Sequence, residues 1–141
     1  MKTVYLAGLM RRGAPQCFKW RGQAKLLLED NFVVRDPFRG KEGEVWNTKY
    51  TVKHATNKDV FWRDYTDIRS SDIFLVNLIP FNNEPLIGTY IEMGWAWEHR
   101  IPIVAVVSPL DVCVHPFLDT MVTSFFEYIT DACEHINGYY S

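Results

Sequence analysis

The chain alternates short apolar runs, each bounded by turn residues, with longer segments in which apolar residues recur every three to four positions. The first pattern is typical of buried strands, and the second is typical of helices that bury one face. Apolar runs lie at residues 3–6, 32–34, 73–78 and 101–107, with a weaker fifth run at 122–126. Segments of helical period lie at residues 18–30, 58–70, 89–99 and about 128–136.

This alternation predicts an α/β fold. Strands that alternate with helices are joined by right-handed crossovers, which produce a parallel sheet covered on both faces. The near-continuous apolar runs IFLVNL and IPIVAVV indicate central strands buried from both sides. We therefore expect a flavodoxin-like open sheet of about five strands in the order 2-1-3-4-5, formed by residues 1–141 as a single domain.

One long segment interrupts the alternation. Residues 37–57, PFRGKEGEVWNTKYTVKHATN, are polar, rich in turn-forming residues and longer than an ordinary connection. The segment is interpreted either as a functional flap, in which Trp46 and Tyr50 cover a ligand, or as a solvated excursion with one aromatic anchor.

Composition narrows the classes of partner. Hydrophobic residues make up 48% of the chain, which supports a packed core rather than disorder. With 15 basic and 17 acidic residues the net charge is −2, so no global positive field attracts nucleic acid or an anionic membrane, and a small-molecule partner is expected.

The N-terminus MKTVYLAG lacks the features of a signal peptide, which favours a cytoplasmic location. The three cysteines show no C-x-x-C pairing, which argues against a zinc site.

In an open parallel sheet of this order, ligands bind at the carboxyl ends of the first and third strands. The first apolar run ends at Ala7-Gly8 and is followed by Arg11. Gly8 would allow close approach of the backbone, and Arg11 could meet an anion or could be solvated surface charge. Neither a Walker motif nor G-x-G-x-x-G is present, so a tightly held triphosphate or dinucleotide is not expected.

Glu92 has two interpretations. Thr89 and Glu92 match the capping box S/T-x-x-E, in which the two side chains satisfy amides of the first helical turn. The helix also begins at the predicted crevice, where its positive end favours an ionised carboxylate. A positioned carboxylate is the group that a displacement at a sugar carbon requires.

Asp64 is the second candidate carboxylate. At helical spacing Phe61, Asp64 and Ile68 share one face, so Asp64 interrupts an apolar stripe, whereas Asp67 is easier to place in solvent. A partly buried Asp can remain protonated and act as an acid, or it can pair with a neighbour such as Arg63. Two carboxyl groups in different environments are the minimum apparatus for cleaving a glycosidic bond with retention.

Three motifs together resemble a known family. YLAG on the first strand, RD-x-x-D-I-x-x-SD-I-x-L-V-N-L through the second helix and third strand, and IGT-x-x-EMGWAW are similar to the nucleoside 2-deoxyribosyltransferase family and to relatives that hydrolyse nucleotide N-glycosidic bonds. The resemblance covers Lys2 to roughly Leu118. The element G-x-x-x-E-x-G-x-A, from Gly88 to Ala96, is its most specific part.

The resemblance implies a role for each matched residue. The nucleophile of the family falls on Glu92, the tyrosine that orients the nucleophile falls on Tyr5, and the aspartate on the base side falls on Asp64. In relatives that hydrolyse nucleotides, the residues that contact the 5′-phosphate match Gly8 and Arg11.

Further positions concern the edges of this expected site. Gly88 opens the family element and is expected to contact substrate. The chain departs from the family at two positions. Leu9 stands where the relatives that hydrolyse nucleotides carry a serine, and Leu86 stands where many relatives carry a polar residue.

Family members are oligomers whose sites borrow a residue from a neighbouring subunit after the fourth strand, a region that His115 occupies. The sequence at His115 is also compatible with a structural turn before Pro116.

The expected function is cleavage of the N-glycosidic bond of 2′-deoxynucleosides or their 5′-monophosphates, through a covalent deoxyribosyl–Glu92 intermediate. Transfer to a free base would make the protein a transferase, and transfer to water would make it a hydrolase. No metal or organic cofactor is expected, and the resemblance implies a homo-oligomer with shared sites. The alternatives are a non-catalytic nucleotide-binding or sensing module and a structural oligomer built on exposed aromatics.

Overall fold

The computed structural model describes residues 1–11, 14–38, 57–80 and 83–141. Strands and helices alternate along these ranges: β1 (Thr3–Gly8), α1 (Gln16–Leu28), β2 (Val33–Arg35), α2 (Asn57–Arg69), β3 (Ile73–Asn77), α3 (Ile87–Glu98), β4 (Ile103–Val106), α4 (Pro116–Met121), β5 (Ser124–Phe126) and α5 (Ile129–Tyr140).

The five strands form one parallel sheet in the order β2-β1-β3-β4-β5. This confirms the predicted doubly wound, flavodoxin-like topology in a single α/β domain. The strand order reverses between β1 and β3, which pair from Val4 opposite Ile73 to Gly8 opposite Asn77. The carboxyl ends of these two strands therefore meet where an open sheet places its ligand crevice.

Helices cover both faces of the sheet. α1 and α5 pack on one face, where Leu6 joins their core, and α2 and α3 pack on the other, where Tyr5 joins theirs. Adjacent strand residues point to opposite faces, so burial on both sides explains the uninterrupted apolar runs of β1, β3 and β4. This alternation directs the Tyr5 side chain toward α2 and α3.

The start of α3 differs from the capping-box prediction. The helix begins at Ile87, its N-cap is Leu86, and no side chain caps it. Leu86 is buried in the core, and its carbonyl accepts the first intrahelical hydrogen bond, from the amide of Tyr90 at 2.9 Å. Thr89 therefore lies inside the first turn, so its predicted capping role is wrong.

The short helix α4 was not predicted. His115 caps it by accepting a hydrogen bond from the amide of Phe117, and Pro116 occupies the first turn, where its missing amide is harmless. Six residues are too few to show helical period in the sequence.

Asp67 was expected in solvent but is buried, with 9% of its surface exposed. Arg35 of β2 crosses to α2, where its Nη1 donates to the Asp67 carbonyl at 3.3 Å and lies 4.0 Å from the carboxylate. The hydroxyl of Ser71 also donates to that carbonyl, at 2.6 Å. Neighbouring elements thus cover a residue that α2 alone would leave exposed.

The predicted long segment at residues 37–57 falls largely outside the described residues, and so do Trp46 and Tyr50. At its start Phe38 is buried with Ala14 and Cys17 beside α1. Across the described ranges, no helix has both the length and the apolar character needed to cross a membrane.

Candidate active site

Tyr5 and Glu92 are joined across the interface between β1 and α3. The Tyr5 hydroxyl donates to Oε2 of Glu92 at 2.6 Å, a length typical of a hydrogen bond from a hydroxyl to a carboxylate. The Tyr5 side chain is fully buried, and its ring stacks on Phe74 of β3 with centroids 5.7 Å apart. The sheet therefore fixes the hydroxyl, and the hydroxyl orients the carboxylate.

The surroundings keep Tyr5 protonated. Burial raises the pKa of Tyr5 well above its ordinary value of 10.0, and the negative charges of Glu92 and Asp64 raise it further. Both effects disfavour the phenolate. Tyr5 is therefore a hydrogen-bond donor throughout the neutral range, and both carboxylates lie within electrostatic range of its hydroxyl.

The position of Glu92 in α3 changes the expected source of its stabilisation. With Leu86 as the N-cap, Glu92 lies in the second turn. The field of the helix dipole falls off within the first turn, so the positive end of α3 is not the main influence on this carboxylate. The hydrogen bond from Tyr5 is a contact that positions it.

Asp64 lies on α2, with 15% of its side chain exposed. Arg63 contacts its Oδ1, through Nη2 at 3.3 Å and through Nε at 3.4 Å. Nη2 of Arg63 also donates to the carbonyl of Pro37 at 2.8 Å. The pairing with Arg63 that the sequence suggested is thus present, and it holds Asp64 at the crevice.

Asp64 and Glu92 line the same cavity, which has a volume of about 290 Å³. Gly8 at the end of β1 and Gly88 at the start of α3 also line it, so the cavity occupies the predicted crevice. A Cβ at Gly8 would lie 3.0 Å from Cζ2 of Trp20, a tight contact that would press on that ring, whereas a Cβ at Gly88 would meet nothing within 4 Å.

Two aromatic residues of the cavity were not assigned to the site from the sequence. Phe61 and Trp95 both line it, and their rings meet edge to face with centroids 5.0 Å apart. Each aromatic lies three residues from a carboxylate on the same helix, Phe61 from Asp64 and Trp95 from Glu92. Residues at this spacing share a helix face. The spacing of each aromatic from a candidate carboxylate is therefore the sequence signal that places Phe61 and Trp95 at the site.

Arg11 does not line the cavity that contains Glu92. Its side chain is 51% exposed and forms an ion pair with Glu84. Leu9 and Leu86, the two departures from the family pattern, do line the cavity. Two apolar side chains therefore line the cavity at the positions where the family pattern has polar residues, and Arg11 is engaged outside it.

His115 lies in a second groove, of about 700 Å³, which it shares with Tyr90 and Leu118. Its Nδ1 accepts a hydrogen bond from the amide of Phe117 at 3.1 Å, which is the capping contact of α4. The structure thus supports the interpretation of a turn before Pro116. Within one chain His115 is not brought to the cavity of Glu92, and its role in a shared site stays a prediction.

The fold and the site together define an open, doubly wound α/β protein with two carboxylates at its topological switch point. The chain belongs to the nucleoside 2-deoxyribosyltransferase family, because the model of that family, described as Nucleoside 2-deoxyribosyltransferase, matches residues 4–130. Membership supports an enzyme of the glycosyl transferase or N-glycosidase type.

Solved structures share the fold. A 2-deoxyribosyltransferase from Bacillus psychrosaccharolyticus is 20% identical, with a TM-score of 0.69, over 92% of this chain and 88% of that one. A conserved protein from Enterococcus faecalis is 14% identical, with a TM-score of 0.72, over 98% of both chains. A CMP N-glycosidase from Clostridium botulinum is 19% identical, with a TM-score of 0.64, over 98% and 99%. No curated protein matches the chain.

Proposed function

We propose that the protein cleaves the N-glycosidic bond of 2′-deoxynucleosides or their 5′-monophosphates, with Glu92 as the nucleophile. The observation that carries this proposal is the 2.6 Å hydrogen bond from the buried Tyr5 hydroxyl to Glu92 at the wall of a cavity. A carboxylate that is oriented by a buried, rigid donor is positioned to attack a carbon bound in the cavity.

In the proposed reaction an oxygen of Glu92 forms a bond to C1′ while the bond from C1′ to the base nitrogen breaks. The electron pair of that bond leaves with the base, and Asp64 supports protonation of the base. The transition state resembles an oxocarbenium ion, so the negative charge of Glu92 stabilises it before the ester forms. A second base then displaces Glu92 and yields a nucleoside, or a nucleotide from a monophosphate. Alternatively, water displaces Glu92 and yields the free sugar or its 5-phosphate. The proton that the attacking base or water loses replaces the proton taken up by the departing base.

Phe61 and Trp95 are proposed to hold the base. Their rings line the cavity beside Asp64 and Glu92, and they are rigidified by edge-to-face packing. Stacking on an aromatic ring is sequence-tolerant because every base has a π-face. This placement would keep the departing base near Asp64, which is the geometry that its protonation requires.

The described lining favours nucleosides over their 5′-monophosphates. Leu9 and Leu86 line the cavity, and Arg11 is ion-paired with Glu84 rather than directed at it. A phosphate bound beside these apolar side chains would lose hydration without a cationic side chain in the described lining. A nucleoside 5′-hydroxyl carries no charge, so we propose the unphosphorylated nucleoside as the better substrate.

The test is chromatographic detection of free base after incubation with deoxynucleosides and, in parallel, with their monophosphates, with and without a second base. Glu92→Gln keeps the size of the side chain but removes the nucleophilic charge, and its turnover should fall below detection. Glu98→Gln is the matched control, because Glu98 is an exposed residue of the same helix. Base release by Glu92→Gln at the wild-type rate would refute the assignment.

The same assay separates the remaining possibilities. Exchange of bases without net loss of nucleoside would define a transferase, and release that needs no acceptor would define a hydrolase. Ligand binding with no release from any substrate would support a non-catalytic sensing module instead. The proposed homo-oligomer with shared sites would be tested by mixing an inactive Glu92→Gln chain with a His115→Ala chain, since complementation requires that the two chains form one site.

A further inference from the structure

Arg21 of α1 is a charged residue with no exposed surface. Its guanidinium donates four hydrogen bonds, and three of them go to backbone carbonyls. Nε donates to Cys17 at 2.9 Å, Nη1 to Leu6 at 2.9 Å and Nη2 to Gly8 at 3.0 Å. The fourth runs from Nη1 to Oδ1 of Asp36 at 3.3 Å.

The two β1 carbonyls that Arg21 binds would otherwise lack a strand partner. β2 pairs with β1 only as far as Arg35 opposite Tyr5, so β1 continues for three residues beyond the end of its neighbour. Leu6 and Gly8 lie two residues apart, and their carbonyls therefore point to the same side of the strand. The guanidinium fork takes the place of the missing part of β2.

Burial and packing keep this guanidinium in one position. The Cζ atom of Arg21 lies over the rings of Trp20 and Phe38, at 4.8 Å and 5.0 Å from their centroids. Trp20 also closes on Gly8, where even a Cβ would come within 3.0 Å. Asp36 supplies the countercharge, and the same Oδ1 accepts from the amide of Phe38 at 2.9 Å.

The segment held by Arg21 carries the proposed chemistry. Tyr5 directly precedes Leu6, and Gly8 lines the cavity of Glu92. A shift at the end of β1 would move the Tyr5 hydroxyl relative to Glu92 and would move the cavity wall with it. A buried cation is also expensive to desolvate, so an apolar residue would serve better if packing were the only requirement.

We propose that Arg21 is a positioning residue for the reaction, because its guanidinium fork clamps the end of β1 and so sets the Tyr5–Glu92 hydrogen bond and the placement of Gly8. This inference rests on the proposed function for its effect on rate. Arg21 touches neither the cavity nor the reacting atoms, and it acts through the backbone of β1 and through its positive charge.

The charge adds to the mechanical effect. Burial lowers the pKa of Arg21, but the negative charges of Asp36 and Glu92 oppose that shift. Electrostatic coupling is reciprocal, so the cation that these groups stabilise also favours the ionised form of Glu92. An ionised Glu92 is both the acceptor of the Tyr5 hydrogen bond and the proposed nucleophile.

The experiment compares Arg21→Met and Arg21→Lys with wild type by steady-state base release, by thermal unfolding and by proton NMR of the Tyr5 hydroxyl. A buried hydroxyl bonded to a carboxylate gives a downfield signal, and its loss in Tyr5→Phe identifies it. We expect Arg21→Met to lose or shift this signal and to lower kcat about ten- to hundredfold, with a smaller change in KM because Gly8 also lines the cavity. Arg21→Lys keeps the charge without the fork and should fall between the two.

Arg35→Met is the matched control. Arg35 also donates to a backbone carbonyl and lies near an aspartate, but it is 31% exposed and lies outside the site. It should lower the unfolding temperature while leaving the Tyr5 signal and kcat unchanged.

The outcomes separate the two proposals. If wild type releases base but both folded Arg21 variants keep the wild-type kcat and the Tyr5 signal, Arg21 only stabilises the fold and this inference is wrong. If Arg21→Met does not fold, Arg21→Lys decides by the same criteria. If wild type releases no base, the proposed function fails, and the NMR signal still decides whether Arg21 sets the Tyr5–Glu92 hydrogen bond.

Discussion

Removal of the Tyr5 hydroxyl is the most direct perturbation of the proposed nucleophile. Tyr5→Phe deletes one oxygen and keeps the ring, which stacks on Phe74 and is fully buried. The loss is therefore confined to the 2.6 Å hydrogen bond to Glu92. A hydrogen bond to a charged group contributes about 1.5–3 kcal/mol, and if the transition state needs it in full, kcat should fall about ten- to 150-fold.

The assay is base release from a saturating deoxynucleoside, with KM measured in parallel. Because Tyr5 does not line the cavity, KM should change by less than about threefold, and the loss should appear in kcat. Single-turnover release would show whether formation of the ester is the slowed step. A Tyr5→Phe protein with wild-type kcat and an unchanged unfolding temperature would refute the idea that this bond orients Glu92.

The raised pKa of Tyr5 predicts that the stability of the protein depends on pH. The pKa of Tyr5 in the folded protein lies well above the value of 10.0 for the exposed group, so the folded state holds this proton more tightly than the unfolded chain does. The stabilisation is present in full below about pH 10 and is lost as the pH rises toward the folded pKa. Tyr5→Phe should therefore lose less stability than wild type between pH 10 and the onset of alkaline unfolding, measured by urea titration.

The remaining predictions concern the base side of the cavity. Asp64→Asn should lower kcat about 10²- to 10⁴-fold for ordinary bases, but much less for a substrate whose base departs without protonation. Asp59→Asn, an exposed change on the same helix, should have no such effect. Equal losses for both kinds of leaving group would contradict a role in protonation. Trp95→Leu should raise KM by about tenfold with a smaller change in kcat, whereas Trp97→Leu, 53% exposed on the same helix, should leave KM unaltered.

The fold class was predictable because it depends on local patterns. Each strand run and each helical segment has its own period, and their regular alternation predicts a parallel sheet covered by helices. The order β2-β1-β3-β4-β5 is one of the common orders for such a sheet, and alternation alone does not select it. The helix boundaries were less predictable. At α3 the burial of Leu86 moves the start of the helix two residues ahead of Thr89, and this depends on the core that receives Leu86 rather than on the helix itself.

The hydrogen bond between Tyr5 and Glu92 could not be derived from local pattern. The two residues lie 87 positions apart, on a strand and a helix that meet only in the folded sheet. Resemblance to the family paired them, and the structure shows the contact. No comparable route led to the ion pair of Arg11 with Glu84, because both residues belong to loops whose relative position only the fold sets.

Two charged residues of this chain interrupt apolar helix stripes. Asp64 stood out because it interrupts an apolar stripe, and Arg21 does the same on α1, between Cys17 and Ala24 at helical spacing. Both charged residues are covered in the structure, and each is held by specific partners. Asp67 lies beside the stripe and is buried by Arg35 from another element. A charge within a stripe therefore indicates an ionic contact with specific partners. A charge beside a stripe does not establish exposure, since neighbouring elements decide how far the burial extends.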